Sequence, residues 1–168
     1  MTYHTPFSQL DPKLFRQTMG VFATGVAVVT TTSDDQSHGM TINSLASVSL
    51  DPCLLLICPR RGSSTDTAIA TSRQFAVNVL ASDQHDLACR FVGAIAERFT
   101  ELETIASHRG LPLLPGALAH LECAVQDIFP GGDHDIVVGK VLSCTHSLGE
   151  PLVFYKGLFG NFAQDLDS

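Results

Sequence analysis

The segment from Val26 to Cys58 carries three strand patterns with nothing but turns between them. Val26–Thr31 reads VAVVTT, apolar and β-branched. Ser33–Ser37 (SDDQS) is a polar turn, and His38–Val48 resumes as a strand in a hairpin with the first. Asp51-Pro52 punctuates the chain before Cys53–Cys58, a buried strand. Connections this short reverse the chain and leave no room for the crossover that a parallel pair needs. The fold is therefore built on antiparallel strands.

The rest of the chain agrees. Asp11-Pro12 starts a helix, with Asp as N-cap and Pro in the first turn. Leu14, Phe15, Thr18, Met19 and Phe22 follow at helical spacing, and Gly20 and Gly25 bracket its end. A short helix is predicted over Thr65–Thr71, a strand over Gln74–Leu80, and a helix from an Asp83 cap to about Val92. Gly93–Pro115 is irregular and long enough to carry a lid or interface function. Strands are predicted over Leu118–Ile128, Asp135–Ser147 and Pro151–Leu158, with a turn at 130–132. No βαβ alternation occurs, and no GxGxxG follows a strand, which excludes a Rossmann domain. The predicted class is mainly β with flanking helices, an antiparallel Greek-key barrel in a single domain over residues 1–168. Residues 1–10 and 163–168 are expected to be flexible.

Charge excludes one large class of function. The net charge is -7, and the 10 Lys and Arg are scattered, so no basic face for nucleic acid is expected. The N-terminus lacks a signal-peptide pattern, and no apolar run suits a membrane span, so a cytoplasmic protein without membrane contact is expected. The 5 cysteines lack CxxC spacing and read as small buried hydrophobes in a reducing compartment. Charged residues make up only 16% of the chain, which fits either a surface covered by a second subunit or a core-rich monomer.

The densest chemistry lies between His38 and Thr65. Side chains two apart on a strand share a face, so Thr41 and Asn43 should project together, as should Ser47 and Ser49. Such a face suits the N–H and C=O edges of a polar planar ring, or simply solvent. Arg60-Arg61-Gly62-Ser63-Ser64-Thr65 leads into a helix, whose free N–H groups with hydroxyls and arginines suit a phosphate. Ordinary capping by Ser64 with solvated arginines is the plainer alternative. Gly131–Asp135 (GGDHD) sets His134 between carboxylates at a turn. No second His or Cys stands at a ligand spacing from it, so no metal is expected. Phe154–Phe159 could be core, or could stack on a nicotinamide or adenine ring. GVFATG lacks the Lys and hydroxyl of a phosphate loop, and no GxSxG elbow supports a hydrolase.

Several of these pieces, in order, resemble the short-chain flavin reductase family, the reductase components of two-component flavin-dependent monooxygenases. They are FRQTMGVFATGVAVVTT, HGMTINSLASVSLDPCLLLICPRRGSS, FAVNVLASDQHDLACRF, GGDHDIVVGKV and PLVFYKGLFGNF, which together cover about residues 14–162. The resemblance implies an FMN-binding split β-barrel that forms a homodimer, with flavin near the subunit interface. It implies flavin contacts from Met40, Thr41, Ile42, Asn43, Ser44, Leu45, Ser47 and Ser49, then Ile57, Cys58, Arg60, Ser63, Ser64 and Thr65, with Phe91 nearby. It places His134 on the nicotinamide side as the catalytic histidine, with Tyr155, Lys156 and Gly157 near the bound pyridine nucleotide. Family members often carry Tyr two residues after that glycine; Phe159 stands here, which removes a hydroxyl that would bear on nucleotide affinity.

The implied activity is an NAD(P)H:flavin oxidoreductase. Hydride passes from nicotinamide C4 to flavin N5 between rings stacked at about 3–3.5 Å, and reduced flavin goes to a separate monooxygenase. FAD or FMN both suit the site. NADH is favoured, since no arginine cluster beyond Arg60-Arg61 awaits a 2′-phosphate, and NADPH remains compatible. A flavin-binding barrel without NADH turnover (sensor, carrier or oxidase-like) is the alternative.

Overall fold

The computed structural model describes residues 10–93 and 98–162. The tails expected to be flexible lie outside them, Leu10 apart. In chain order the elements are α1 (Pro12–Met19), β1 (Thr24–Gly25), β2 (Ala27–Ser33), β3 (Gln36–Ile42), β4 (Ala46–Leu50) and β5 (Cys53–Ile57). Then come α2 (Ser64–Ser72), β6 (Gln74–Val79), α3 (His85–Arg90), β7 (Ile105–Ala106), β8 (Pro112–Leu113), β9 (Ala119–Gly131), β10 (His134–His146), β11 (Leu152–Tyr155) and β12 (Leu158–Asn161).

Seven strands form one antiparallel sheet in the order β3-β2-β6-β9-β10-β5-β4. Its two outermost strands, β3 and β4, are consecutive in the chain and joined only by Asn43–Leu45. A connection that short reaches roughly 14 Å at full extension. The sheet must therefore curl until its ends meet, and they meet without pairing. The result is a split barrel whose seam is the 43–45 loop. The strand expected over His38–Val48 is thus two strands on opposite sides of that seam.

Local chemistry explains the reversals. Asp34 and Asp35 take φ of 51° and 58°, the left-handed pair of a type I′ turn, which matches the twist of β2 and β3. Lys156 and Gly157, at φ 50° and 83°, do the same between β11 and β12. The closing strand expected over Pro151–Leu158 is therefore a hairpin with these two residues at its tip. It joins β1 in a separate three-stranded sheet.

Both faces of β2 are buried, which is why its sequence is a continuous apolar run and not an alternation. Ala27 and Val29 point into the barrel with Ile42, Leu55, Phe75 and Val137. Val26 and Val28 face an outer core of Leu80, Ala88, Phe91, Leu114 and Leu152. Burying such a side chain stabilises the fold by roughly 1.5–3 kcal/mol. Two glycines make room for rings: a Cβ on Gly139 would stand 2.5 Å from Phe75 Cζ, and one on Gly39 would stand 2.8 Å from Phe91 Cε1.

Three further expectations are corrected. Helix α3 begins at His85 with Gln84, not Asp83, as its N-cap residue. The Gln84 amide instead ties loops together, accepting from Ala81 N and donating to Pro115 O. The end of Gly93–Pro115 is not free loop: Leu111 and Leu114 are fully buried and dock it to the barrel. Of the cysteines only Cys123 is buried and Cys58 half-buried; Cys53, Cys89 and Cys144 are exposed, because they fall outside the two packed cores.

Candidate functional site

A cavity of about 920 Å³ opens at the barrel seam. One side is Asn43, Ser44 and Leu45 of the seam loop, with Leu56 and Cys58 beside them. The other is the β11–β12 hairpin, through Phe154, Lys156 and Gly157, and helix α1 with the turn after it. The Lys156 N–H donates to Gly20 O at 2.8 Å, which ties the hairpin tip to the end of α1. The volume is that of a small-molecule site.

The hydroxyl-rich segment is divided in its work. The Thr41 hydroxyl donates to Ala88 O at 2.6 Å, which anchors β3 to α3. The Ser44 hydroxyl accepts from Cys58 N at 3.1 Å and closes the seam. Ser49 accepts from Asp51 N in the β4–β5 turn. The expected shared faces do not form. The ladder ends at Ile42, one residue short of Asn43, and a register shift between Ser47 and Ser49 breaks the alternation there. Among the described residues the Asn43 amide, exposed at the cavity wall, forms no hydrogen bond and is free for a ligand. Burial pushes the half-buried Cys58 thiol up, so it stays neutral.

Other residues expected at the flavin do not line this cavity. Phe91 is 1% exposed in the outer core, where it packs edge-on against Phe99. Ile42, Ile57 and Thr65 have buried side chains, so only their backbone can meet a ligand. Met40 packs against the barrel core. Ser63, not Ser64, caps α2: its hydroxyl accepts from Asp66 N at 3.2 Å, and the Asp66 carboxylate accepts from Gly62 N at 2.9 Å. Arg61 is bound to Asp135, which raises the guanidinium's already high pKa. The donors left at this loop are the Arg60 side chain, the Ser64 hydroxyl and the N–H groups of Ser64 and Thr65. Cys58 stands two residues before Arg60, so this anion seat adjoins the cavity.

His134 lies against the same loop, bridged to Arg60. Its Nδ1 is 2.8 Å from the Asp133 carboxylate, which can only accept, so Nδ1 carries the proton and Nε2 is left to face a ligand. That hydrogen bond holds the Asp133 carboxyl below the usual carboxylate range. Tyr155 is exposed beside the Lys156 ammonium, which sits 5.1 Å from its ring centre. Lys156 and Gly157 thus reach the seam, whereas His134 gathers with Arg60.

Sequence reasoning missed the contribution of α1. Arg16, Gln17, Met19 and Gly20 line the cavity, followed by Phe22 and Thr24. The available signal was the helical stripe itself: α1 carries apolar residues at helical spacing, none of them buried among the described residues.

A family model described as flavin reductase like domain matches residues 19–163. The chain belongs to this family. It is 43% identical over 154 residues to the FMN reductase (NADH) SmoA of Agrobacterium fabrum, which spans 92% of this chain and 88% of that protein. It is 39% identical to HsaB of Mycobacterium tuberculosis, the reductase subunit of a flavin-dependent monooxygenase, over 89% of this chain and 82% of that one. Among solved structures, the NADH:FAD oxidoreductase SgcE6 of Streptomyces globisporus, in complex with NAD and FAD fragments, superposes with a TM-score of 0.88 at 38% identity, covering 95% and 99% of the two chains.

The residues of this flavin reductase-family chain fit a flavin. Met19, Phe22, Leu45, Leu56 and Phe154 give apolar walls for a planar ring. The Asn43 amide can meet its polar edge. The Thr24 hydroxyl, also in the wall, is buried without a hydrogen-bond partner among the described residues, an unmet group that a ligand would satisfy. No group of three metal-ligating side chains occurs among the described residues.

Proposed function

We propose that this protein is an NADH-dependent flavin reductase that supplies reduced FAD or FMN to a separate monooxygenase. The carrying observation is a cavity in which the seam loop and the β11–β12 hairpin face one ligand space. Relatives along nearly the whole chain are named as FMN reductase (NADH) and as a monooxygenase reductase subunit. When bound, the flavin supplies the electron-accepting ring for the nicotinamide hydride.

The chain's own groups bind and orient. Asn43 and Thr24 hold the polar edge of the ring, and the seam is kept closed by Ser44 and Cys58. Arg60, Ser64 and the first N–H groups of α2 seat the flavin phosphate. The Nε2 of His134, its tautomer set by Asp133, accepts from the nicotinamide carboxamide; it positions and need not move a proton. His134 and the cavity meet when two barrels pair, so the working unit is a homodimer. Three exposed free cysteines suit a reducing cytoplasm.

Purified protein mixed with FAD or FMN should oxidise NADH at its near-ultraviolet band. No oxidation with either flavin leaves only a flavin-binding module. For the histidine, His134→Ala should raise KM for NADH several-fold with little change in flavin affinity by fluorescence titration. Equal loss of both would remove it from the nicotinamide side.

A further inference from the structure

The charge lining the cavity runs against the charge of the molecule. The chain carries a net charge of -7, yet the cavity wall includes no Asp or Glu and two cations, Arg16 and Lys156. Neither side chain forms an ion pair among the described residues. Other arginines are engaged: Arg61 with Asp135, Arg73 with the Val125 carbonyl, Arg90 with the Arg98 carbonyl, and Arg98 with the Gly39 carbonyl. The backbone segments that carry the two cations are also tied together. Gly20 N donates to Arg16 O at 2.9 Å, and Gly20 O accepts from Lys156 N at 2.8 Å. A single glycine thus links the turn of α1 that carries Arg16 to the hairpin tip that carries Lys156. A Cβ on Gly20 would stand 3.5 Å from Lys156 Cα, so the two elements are in van der Waals contact there.

We propose that Arg16 and Lys156 together form a phosphate-binding site for a nucleotide ligand of the cavity, apart from the Arg60–Thr65 loop. This rests on reading the cavity as a flavin reductase site. Two phosphorylated ligands must share that space, and one anion seat at Arg60 serves one of them. The diphosphate of the nicotinamide dinucleotide is the group that needs the second. Arg16 gives two parallel donors to a phosphate, and Lys156 gives a point charge at the turn. The chain is acidic overall, so a local cationic pair also favours the approach of a dinucleotide at this point.

The test compares wild type with Arg16→Gln, Lys156→Gln, the double variant, and Lys140→Gln, an exposed cation outside the cavity. Riboflavin, FMN and FAD affinities come from fluorescence titration, and KM for NADH from initial rates. Inorganic pyrophosphate is titrated by calorimetry without flavin. Each cavity variant should weaken a phosphorylated ligand about tenfold, as loss of one charge-assisted hydrogen bond implies. Riboflavin affinity and the Lys140→Gln variant should be unchanged, and Arg16→Lys should recover part of the loss. A rise confined to KM for NADH assigns the site to the nucleotide; a loss confined to FMN and FAD assigns it to flavin phosphate. Equal weakening of riboflavin and FMN shows a structural role and overturns the site. So do unchanged FMN, FAD and NADH constants combined with no pyrophosphate binding. If the wild type reduces no flavin, the reductase reading fails by itself, and loss of pyrophosphate binding in the double variant still decides the site.

Discussion

Asn43 and Ser44 are adjacent and polar, and the structure gives them opposite tasks. Asn43 is exposed at the cavity with no partner of its own among the described residues, whereas Ser44 is bound to Cys58 across the seam. Asn43→Ala should therefore weaken flavin binding several-fold in a fluorescence titration while the urea midpoint stays in place. Ser44→Ala should lose about 1 kcal/mol of stability, the worth of one hydrogen bond, in urea unfolding. Cys123 shows the same dependence on surroundings in its titration. Burial, helped by the Glu122 charge, pushes its thiol up to about 12. The folded state then keeps a proton that the unfolded chain releases above about pH 8.5. The stability tied to this proton is complete below that value and falls as pH rises toward 12. Cys123→Ala should flatten the fall of the urea midpoint over that alkaline range; an identical slope in the variant would assign the fall to other groups.

At the scale of elements, what the sequence made legible was local. The Asp11 cap, the reversal between β2 and β3 and the apolar run of β2 follow from turn chemistry and periodicity, and all are present. Two features depended on contacts distant in the chain and could not be read locally. The seam after Ile42 exists because β3 and β4 end on opposite edges of a closed sheet, which hydroxyl-rich 38–48 does not announce. The 110–115 segment looks like loop but is held by Asn78, fully buried on β6. Its amide donates to Val28 O at 3.0 Å and accepts from Leu114 N at 2.8 Å, while Thr30 donates to Pro112 O at 2.6 Å. Asn78→Ala would leave the Leu114 N–H buried without a partner and detach the segment. A loss on the order of 3 kcal/mol is expected, from the orphaned donor and the broken network together. Hydrogen exchange at the Leu114 amide should quicken with it; an unchanged amide would mean that Leu111 and Leu114 hold the segment by packing alone.

At the scale of the whole molecule, part of the exposed apolar surface lies on and just after α1, beside the cavity. Helix α1 has no buried residue, and Phe15, Met19 and Phe22 stand more than half exposed on or just after it. Leu50, 86% exposed, ends β4 beyond the seam. A monomer would leave these side chains exposed, beside a cavity whose lining does not include His134. Pairing two barrels would cover the stripe and bring a second protomer's loops to the cavity mouth, so oligomeric state and activity should fall together. Phe15 does not line the cavity, which makes it the clean probe. Phe15→Asp places a charge in the stripe without touching the ligand walls. The wild type should sediment as a dimer and the variant as a folded monomer, with circular dichroism unchanged and NADH oxidation reduced at least tenfold. Restored turnover at high protein concentration would show that the loss arises from dissociation. A variant that stays dimeric and active would place the dimer contact elsewhere and leave the α1 stripe for another partner.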